Sequence, residues 1–362
     1  MTTTLSFRSV KAALLVLLTA AVGSLNAQGS PAVPGKAQTL RVGIGLSAES
    51  VQGRALQDFA ARVEKYTQGD LRIELHAGGK LGNDLTMVKA LQEGTQEMTA
   101  PDSSTLSSLE KSFSAINYPF TFLSELEADT ILDGPWGTRL LERLPSHGLI
   151  GLAYWENGFR QMTNNKKALS SAADFEGVRM RTMQNPLLLD SFKRLGFEAI
   201  PMPFTQVYEA LKTQAVDGQE NPLPTILSSR FYEVQKYLTL SRHVYSAHVL
   251  LVSKKVWDTL KPAHQEALKR AALESRDVER RWSREGNDAA LAELKAKGMT
   301  VTSIPRADSE RIRNRLRDVF EKYNRDIGTR TMLELYVELG RMRTADDAPH
   351  KSATSATEPK KK

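Results

Sequence analysis

The chain has 362 residues, 49 Lys and Arg against 42 Asp and Glu for a formal net charge of +7, 41% hydrophobic and 25% charged residues, and no cysteine. This is globular composition, which excludes collagen-like, disordered and multi-span membrane classes, and the missing cysteine excludes disulfide scaffolds, zinc ribbons, iron-sulfur clusters and thiol nucleophiles together. A chain of this length is expected to divide into two domains rather than build one oversized core.

The first feature along the chain is a leader. Arg8 and Lys11 precede an apolar run from Ala12 to Val22, and Ser24 to Gly29 behind it are polar. The run is shorter than the ~20 residues of a spanning helix, so residues 1–27 read as a secretory signal peptide cleaved after Ala27. An exported, cysteine-free chain fits a bacterial periplasm. Removing Arg8 and Lys11 lowers the net charge to +5, and six basic against three acidic residues from Arg341 onward leave +2 for the body. A basic nucleic-acid surface is therefore not expected.

A strand is predicted over Thr39 to Ile44. Leu56, Phe59, Ala60 and Val63 then recur at helical spacing, with Gly69 as a stop. Leu71, Ile73 and Leu75 alternate as in a strand, residues 77–83 form a Gly-rich turn, and a short helix runs from Asp84 to Glu93 before Gly94. This βαβα succession argues for a mainly parallel sheet covered by helices. Further on, Val178, Met180 and Thr182 alternate with Arg179 and Arg181, so a strand there would send both guanidiniums from one face. Such an Arg can present a planar fork to a carboxylate, although by itself the pattern equally fits a solvated face. Asn185 and Pro186 suit the cap and first position of a helix through Leu195. Pro262 to Lys297 has no internal proline and predicts a helix of roughly 50 Å. That length would brace two domains, with Gly286 and Asn287 permitting a bend. Thr344 to Lys362 lacks apolar periodicity and reads as a disordered tail.

Most chemical motifs fail. Gly43, Gly45 and Ala48 outline a dinucleotide fingerprint, but Glu74, Leu75 and His76 end the next strand without the acidic tip that holds a ribose. Walker A and GxSxG motifs are absent, and the six histidines include no HExxH pair. His243 and His248, five apart, would not share a metal.

A longer ordered series covers essentially the whole mature chain. It comprises GKLGN and ALQEG within 79–94, PFTF at 119–122, NGFRQMTN at 157–164, VRMR at 178–181, MPF at 202–204, VYEAL at 207–211, DGQENP at 217–222 and FYEVQKYL at 231–238. In order and spacing it resembles the solute-binding proteins of TRAP transporters, the tripartite ATP-independent periplasmic systems that import organic acids. The resemblance implies an α/β, two-domain periplasmic-binding-protein-like fold with hinge strands and a long bent helix spanning both domains. On this reading residues 38–157 plus 247–286 form one domain and 158–246 plus 287–343 the other.

The resemblance also implies the site. Arg181 takes the place of the carboxylate-clamping arginine, Asn221 that of the amide on the same carboxylate, and Arg160 that of a second basic contact in sialic-acid-binding members. Gln184 and Phe204 fall where members contact substrate. Asp84 and Asp102 fall where the sialic-acid binders place acidic contacts, Asp84 being equally suited to cap a helix and Asp102 to a turn. Trp155 is placed as a wall of the cleft, while Arg179, Asp217 and Gly218 are read as structural. The RTMQN stretch at 181–185 departs from the RVPNA form of sialic-acid binders, so a small polar hydroxy or keto acid is expected instead. The implied partners are that acid and the TRAP membrane subunits, with no cofactor, metal or nucleic acid, and the chain acting as a monomer. A ligand sensor, or a periplasmic hydrolase or lyase using Asp84 or Asp102 with a histidine, are the competing readings.

Overall fold

The computed structural model describes Met1 and residues 37–346; the expected leader and residues 347–362 of the expected tail lie outside the described residues. From Gln38 onward the chain forms one compact unit. Its first elements are β1 (Gln38–Gly43), α1 (Val51–Tyr66), β2 (Leu71–His76), α2 (Asp84–Glu93), β3 (Met98–Thr99), α3 (Ser103–Leu106), α4 (Glu125–Asp133) and α5 (Pro135–Leu141). The middle of the chain supplies β4 (Leu149–Phe159), β5 (Gln161–Asn164), β6 (Arg179–Thr182), α6 (Pro186–Arg194), β7 (Glu198–Pro201), α7 (Val207–Lys212), β8 (Gly218–Asn221), α8 (Leu223–Ser228) and β9 (Tyr237–Leu240). It ends with β10 (Tyr245–Ser253), α9 (Lys254–Trp257), α10 (Pro262–Ala296), β11 (Thr300–Ser303), α11 (Arg306–Arg315), α12 (Arg317–Ile327) and α13 (Thr329–Asp346). None of the described helices is long and apolar enough to cross a membrane.

Local chemistry sets the element boundaries. Ser50 caps α1 by accepting from Gly53 N at 3.0 Å, and Ala55, Leu56, Phe59 and Val63 bury its inner face. Its end is closed by the Thr67 hydroxyl, which donates to Val63 O at 2.8 Å. Asn83, not Asp84, caps α2, accepting from Thr86 N at 3.1 Å, and left-handed Gly94 ends that helix. Asn185 caps α6 through Leu188 N at 3.1 Å, with Pro186 in the first turn. Residues 344–346 of the expected tail belong instead to α13, which continues through Asp346.

The strands form two sheets, ordered β2-β1-β3-β10-β4 and β11-β9-β5-β8-β6-β7. In the first, β1 runs parallel to β2 and β3, as the βαβα pattern implied, and β10 and β4 add an antiparallel edge. In the second, β6 runs parallel to β7 and β8, while β5 is antiparallel to β8 and β9. Only Arg160 separates β4 from β5, and residues 241–244 join β9 to β10, so two short segments cross between the sheets.

The predicted long helix is α10, about 52 Å at the α-helical rise. Leu268, Ala271 and Ala272 in its first half pack with Leu40, Phe59 and Trp155 under the first sheet. Ala290 and Leu294 in its second half pack with Val207, Ile226 and Leu238 under the second. A bulkier face could not lie so close along both lobes. Midway, Arg280 forks onto Asp133 and Arg284 onto Asp129, which tie α10 to α4. The C-terminal helix also returns to the first lobe, where Arg343 of α13 holds Glu127 of α4.

Candidate functional site

Between the sheets lies a cleft enclosing a cavity of about 70 Å³. Of the eight residues singled out from sequence, seven line it: Asp84, Asp102, Arg160, Arg181, Gln184, Phe204 and Asn221. Trp155 does not. It is fully buried in the first lobe, its indole N–H donating to Ala272 O of α10 at 3.1 Å and its ring meeting Phe59 edge-on. The apolar mass of an indole is better hidden in the core than on a wet wall, so the expectation for Trp155 is corrected.

Arg181 projects from β6 and is 3% exposed. Its Nε and Nη2 both donate to the Met202 carbonyl, at 2.9 and 2.7 Å, which fixes the plane of the guanidinium. Among the described residues no carboxylate lies within ion-pair distance of it, whereas Arg179, two residues earlier, is held by Asp217 at 2.6 Å. Burial pushes the Arg181 guanidinium down to about 10, with Arg160 adding to the push and Glu220, Asp84 and Asp102 opposing it. It stays charged at neutral pH, desolvated and without a counterion of its own. Such a cation is costly until an anion reaches it.

Arg160 is differently placed. It is 1% exposed, and Glu220 holds it through a short Nε contact and a second bond from Nη2 at 2.9 Å. Nη2 also reaches Glu220 O at 2.6 Å and Asn221 Oδ1 at 3.1 Å, and Nη1 reaches the Ser246 hydroxyl at 3.2 Å. Burial opposes the Arg160 charge, but Glu220 and Asp102 hold it above its ordinary value. The matching carboxyl of Glu220, despite the same burial, is drawn down to about 2 by Arg160 and His243. Arg160 is therefore a neutralised bracket. It orients Asn221, whose Nδ2 donates to Gln219 Oε1 at 2.6 Å.

The opposite wall is acidic. Asp102 caps α3, accepting from Ser104 N at 2.9 Å, and its other oxygen accepts from Asn157 Nδ2 at 2.9 Å. Asp84 opens α2 and faces the cavity, 3.4 Å from the backbone N of Asp102. Burial and the nearby Asp102 push the Asp84 carboxyl up to about 6, with Arg181 opposing. Phe204 packs against the apolar cores of both lobes, and a Cβ added at Gly45 would sit 3.6 Å from its ring. Gln184 is exposed at the rim.

The cleft lining also contains residues that sequence reasoning passed over: Gln52, Ser104, Thr105, Asn157, Met183, Met202, Thr225 and His248. Asn157, Met183 and Met202 lie inside or beside the quoted motifs. His248 was weighed only as a metal partner of His243, yet a histidine inside the wholly buried strand YSAHVLLVS is itself a signal. No group of three or more His, Asp or Glu side chains among the described residues could hold a metal ion.

Residues 42–326 match the model of bacterial extracellular solute-binding protein family 7. The chain is 35% identical over 288 residues to the 2,3-diketo-L-gulonate-binding periplasmic protein YiaO of Escherichia coli, covering 79% of this chain and 88% of that protein. Among solved structures it resembles the sugar acid binding protein DctPAm of Advenella mimigardefordensis in complex with galactonate. That match has 42% identity, a TM-score of 0.83, and covers 84% of this chain and 99% of the other. It is also similar to a TRAP periplasmic solute binding protein of Polaromonas sp. JS666 bound to D-erythronate, at 33% identity and TM-score 0.80 over 82% and 98% of the two chains. With two lobes, a bracing helix, an enclosed polar cleft and a family match over most of its length, the chain belongs to the solute-binding proteins of TRAP transporters.

Proposed function

We propose that the protein captures a polyhydroxylated monocarboxylic acid in the cleft and delivers it to TRAP membrane subunits. The observation that carries this is the buried Arg181 guanidinium, which has no carboxylate partner and faces Asp84 and Asp102 across the cavity. The ligand carboxylate docks on Arg181 beside Asn221, where a planar fork gives charge-assisted bonds. Its hydroxyls donate to the two aspartates. A second carboxylate in that position would meet like charge, which favours hydroxy acids over dicarboxylates. The ligands named for YiaO, DctPAm and the Polaromonas protein, a diketo acid, galactonate and D-erythronate, are of the same chemical kind.

Capture without chemistry is supported by how Asp102 and His248 are used. Both line the cleft, as the hydrolase reading requires, but the oxygens of Asp102 are taken by Ser104 N and Asn157 rather than by the ring. The N-terminal run is read as the export signal to the periplasm, and the chain as a monomer with lobes divided at residues 157–158, 246–247 and 286–287. N-terminal sequencing of the secreted protein and light scattering check the first two of these.

The decisive experiment is calorimetry of the mature protein against aldonates, dicarboxylates and other carboxylates. Galactonate or a shorter aldonate should bind and succinate should not. Arg181→Ala should cost about 2–5 kcal/mol of affinity by stranding the ligand charge. Retained affinity in that variant would sink the reading.

A further inference from the structure

Behind the cleft is a second cavity of about 20 Å³. That is room for one water-sized group, which needs roughly 10–15 Å³. It shares Leu46, Gln52, Asn157, Thr225 and His248 with the cleft, whereas Arg181 and Asn221 belong to the cleft alone. The chamber thus adjoins the cleft without including the carboxylate clamp in its lining. Its back is Glu279 and Ser283 of α10.

The lining of this chamber offers more hydrogen-bonding capacity than the protein itself uses. His248 is 7% exposed and its Nδ1 has no hydrogen-bond partner. Thr225 and Ser283, both buried, add two hydroxyl-bearing side chains to the lining. Glu279 accepts from Glu156 N at 2.8 Å, and burial together with the neighbouring Glu156 lifts its carboxyl well above the usual range. Burial likewise pushes the His248 imidazole down to about 4, Asp102 opposing, so its ring is neutral. A neutral ring beside hydroxyl and amide side chains suits a hydroxyl group better than an ion.

We propose that this chamber is a distal subsite taking the terminal hydroxyl of a six-carbon polyhydroxy acid, with His248 as the specificity-determining residue at its mouth. The proposal rests on the reading that the acid is held by its carboxylate on Arg181. A four-carbon acid anchored there leaves the chamber to water; a six-carbon chain extends into it and satisfies the orphaned ring nitrogen.

The test is calorimetry with galactonate and erythronate on the mature protein. Galactonate should bind about ten-fold more tightly, the effect of one additional buried polar contact. Ser283→Val fills the chamber without touching the clamp. It should bring the two affinities within about two-fold while erythronate stays near wild type. His248→Leu, which keeps bulk and removes both ring nitrogens, should also narrow the ratio. If Ser283→Val does not fold by circular dichroism, Ser228→Val, at another residue that lines the chamber and not the cleft, gives the same reading. An unchanged ratio in the folded variants, or equal wild-type affinities for the two acids, overturns the subsite. Wild-type protein that binds neither acid but does bind another carboxylate overturns the hydroxy-acid reading beneath it as well.

Discussion

Arg181 and Arg160 share a cleft and nearly the same burial, yet their charges are handled in opposite ways. Glu220 neutralises Arg160, so Arg160→Ala leaves a carboxylate buried without its partner and should destabilise the fold by about 3–5 kcal/mol. Arg181 has no such partner, and Arg181→Ala should leave the melting temperature of the ligand-free protein unchanged or raise it slightly. Thermal melts of the two variants beside their binding isotherms separate bracket from clamp. The Asp84 carboxyl titrates near 6 in the folded protein, above the ordinary value of 3.8. The folded state therefore binds its proton more tightly than the unfolded state, and stability from this group falls as pH rises from about 4 to about 6. Asp84→Asn should accordingly raise the melting temperature above pH 6, and the gain should vanish below about pH 4. A gain that persists at pH 3.5 would contradict the assignment. Neither the pairing of Arg160 nor the isolation of Arg181 can be read from NGFR or VRMR, because Glu220 arrives from β8, 60 residues from Arg160.

At the scale of elements, glycine substitutions show how tertiary contact overrides propensity. Gly286 lies within α10, and a Cβ there meets nothing within 4 Å. Gly286→Ala should stabilise the protein by about 0.5–1 kcal/mol, the usual gain in a helix. Gly53 is also helical, but a Cβ on it would fall 2.4 Å from Ser47 O and 2.6 Å from Ala48 O. Gly53→Ala should therefore destabilise, with the backbone clash reversing the sign. Urea titrations of both variants check the pair. Several helices were legible because their starts and stops are local: Gly94 for α2, Asn185 and Pro186 for α6, Pro262 for α10; the α2 cap itself fell on Asn83, one residue before the candidate Asp84. The predicted strand over Thr39–Ile44 and the observed Gln38–Gly43 differ by one residue at each end, as expected where pairing to β2 sets the limits.

For the whole molecule, function depends on how the two lobes meet. Two crossing segments and α10 connect them, the arrangement of a hinge with a brace. The lips touch at Phe204 and at Thr205, where a Cβ on Gly79 would come 2.7 Å from Thr205 Cγ2. Gly79 also sits at φ +72, in the left-handed region that glycine tolerates best. Gly79→Ala should weaken ligand binding by holding the lips apart, although Gly79 does not line the cavity. Adding Thr205→Ser, which removes the obstructing methyl, should restore part of the affinity. Binding constants for the two single variants and the double variant measure this coupling, and strictly additive losses would count against closure at this point.

The sequence alone determined the helices and strands over 39–93 and 178–195, the length of α10, and the motif series that marks the family. Those features are carried by neighbours a few residues apart, so local spacing and capping are sufficient to reveal them. It also pointed to seven residues that the fold brings to one cavity. Only the tertiary structure decided what each does there. It sent Trp155 to the core beneath α10, gave Arg160 a counterion and left Arg181 without one. It also brought His248 of β10, Thr225 of α8 and Ser283 of α10 around a single buried chamber. Charge balance and desolvation arise from groups that meet across the fold, and no window of sequence contains both partners.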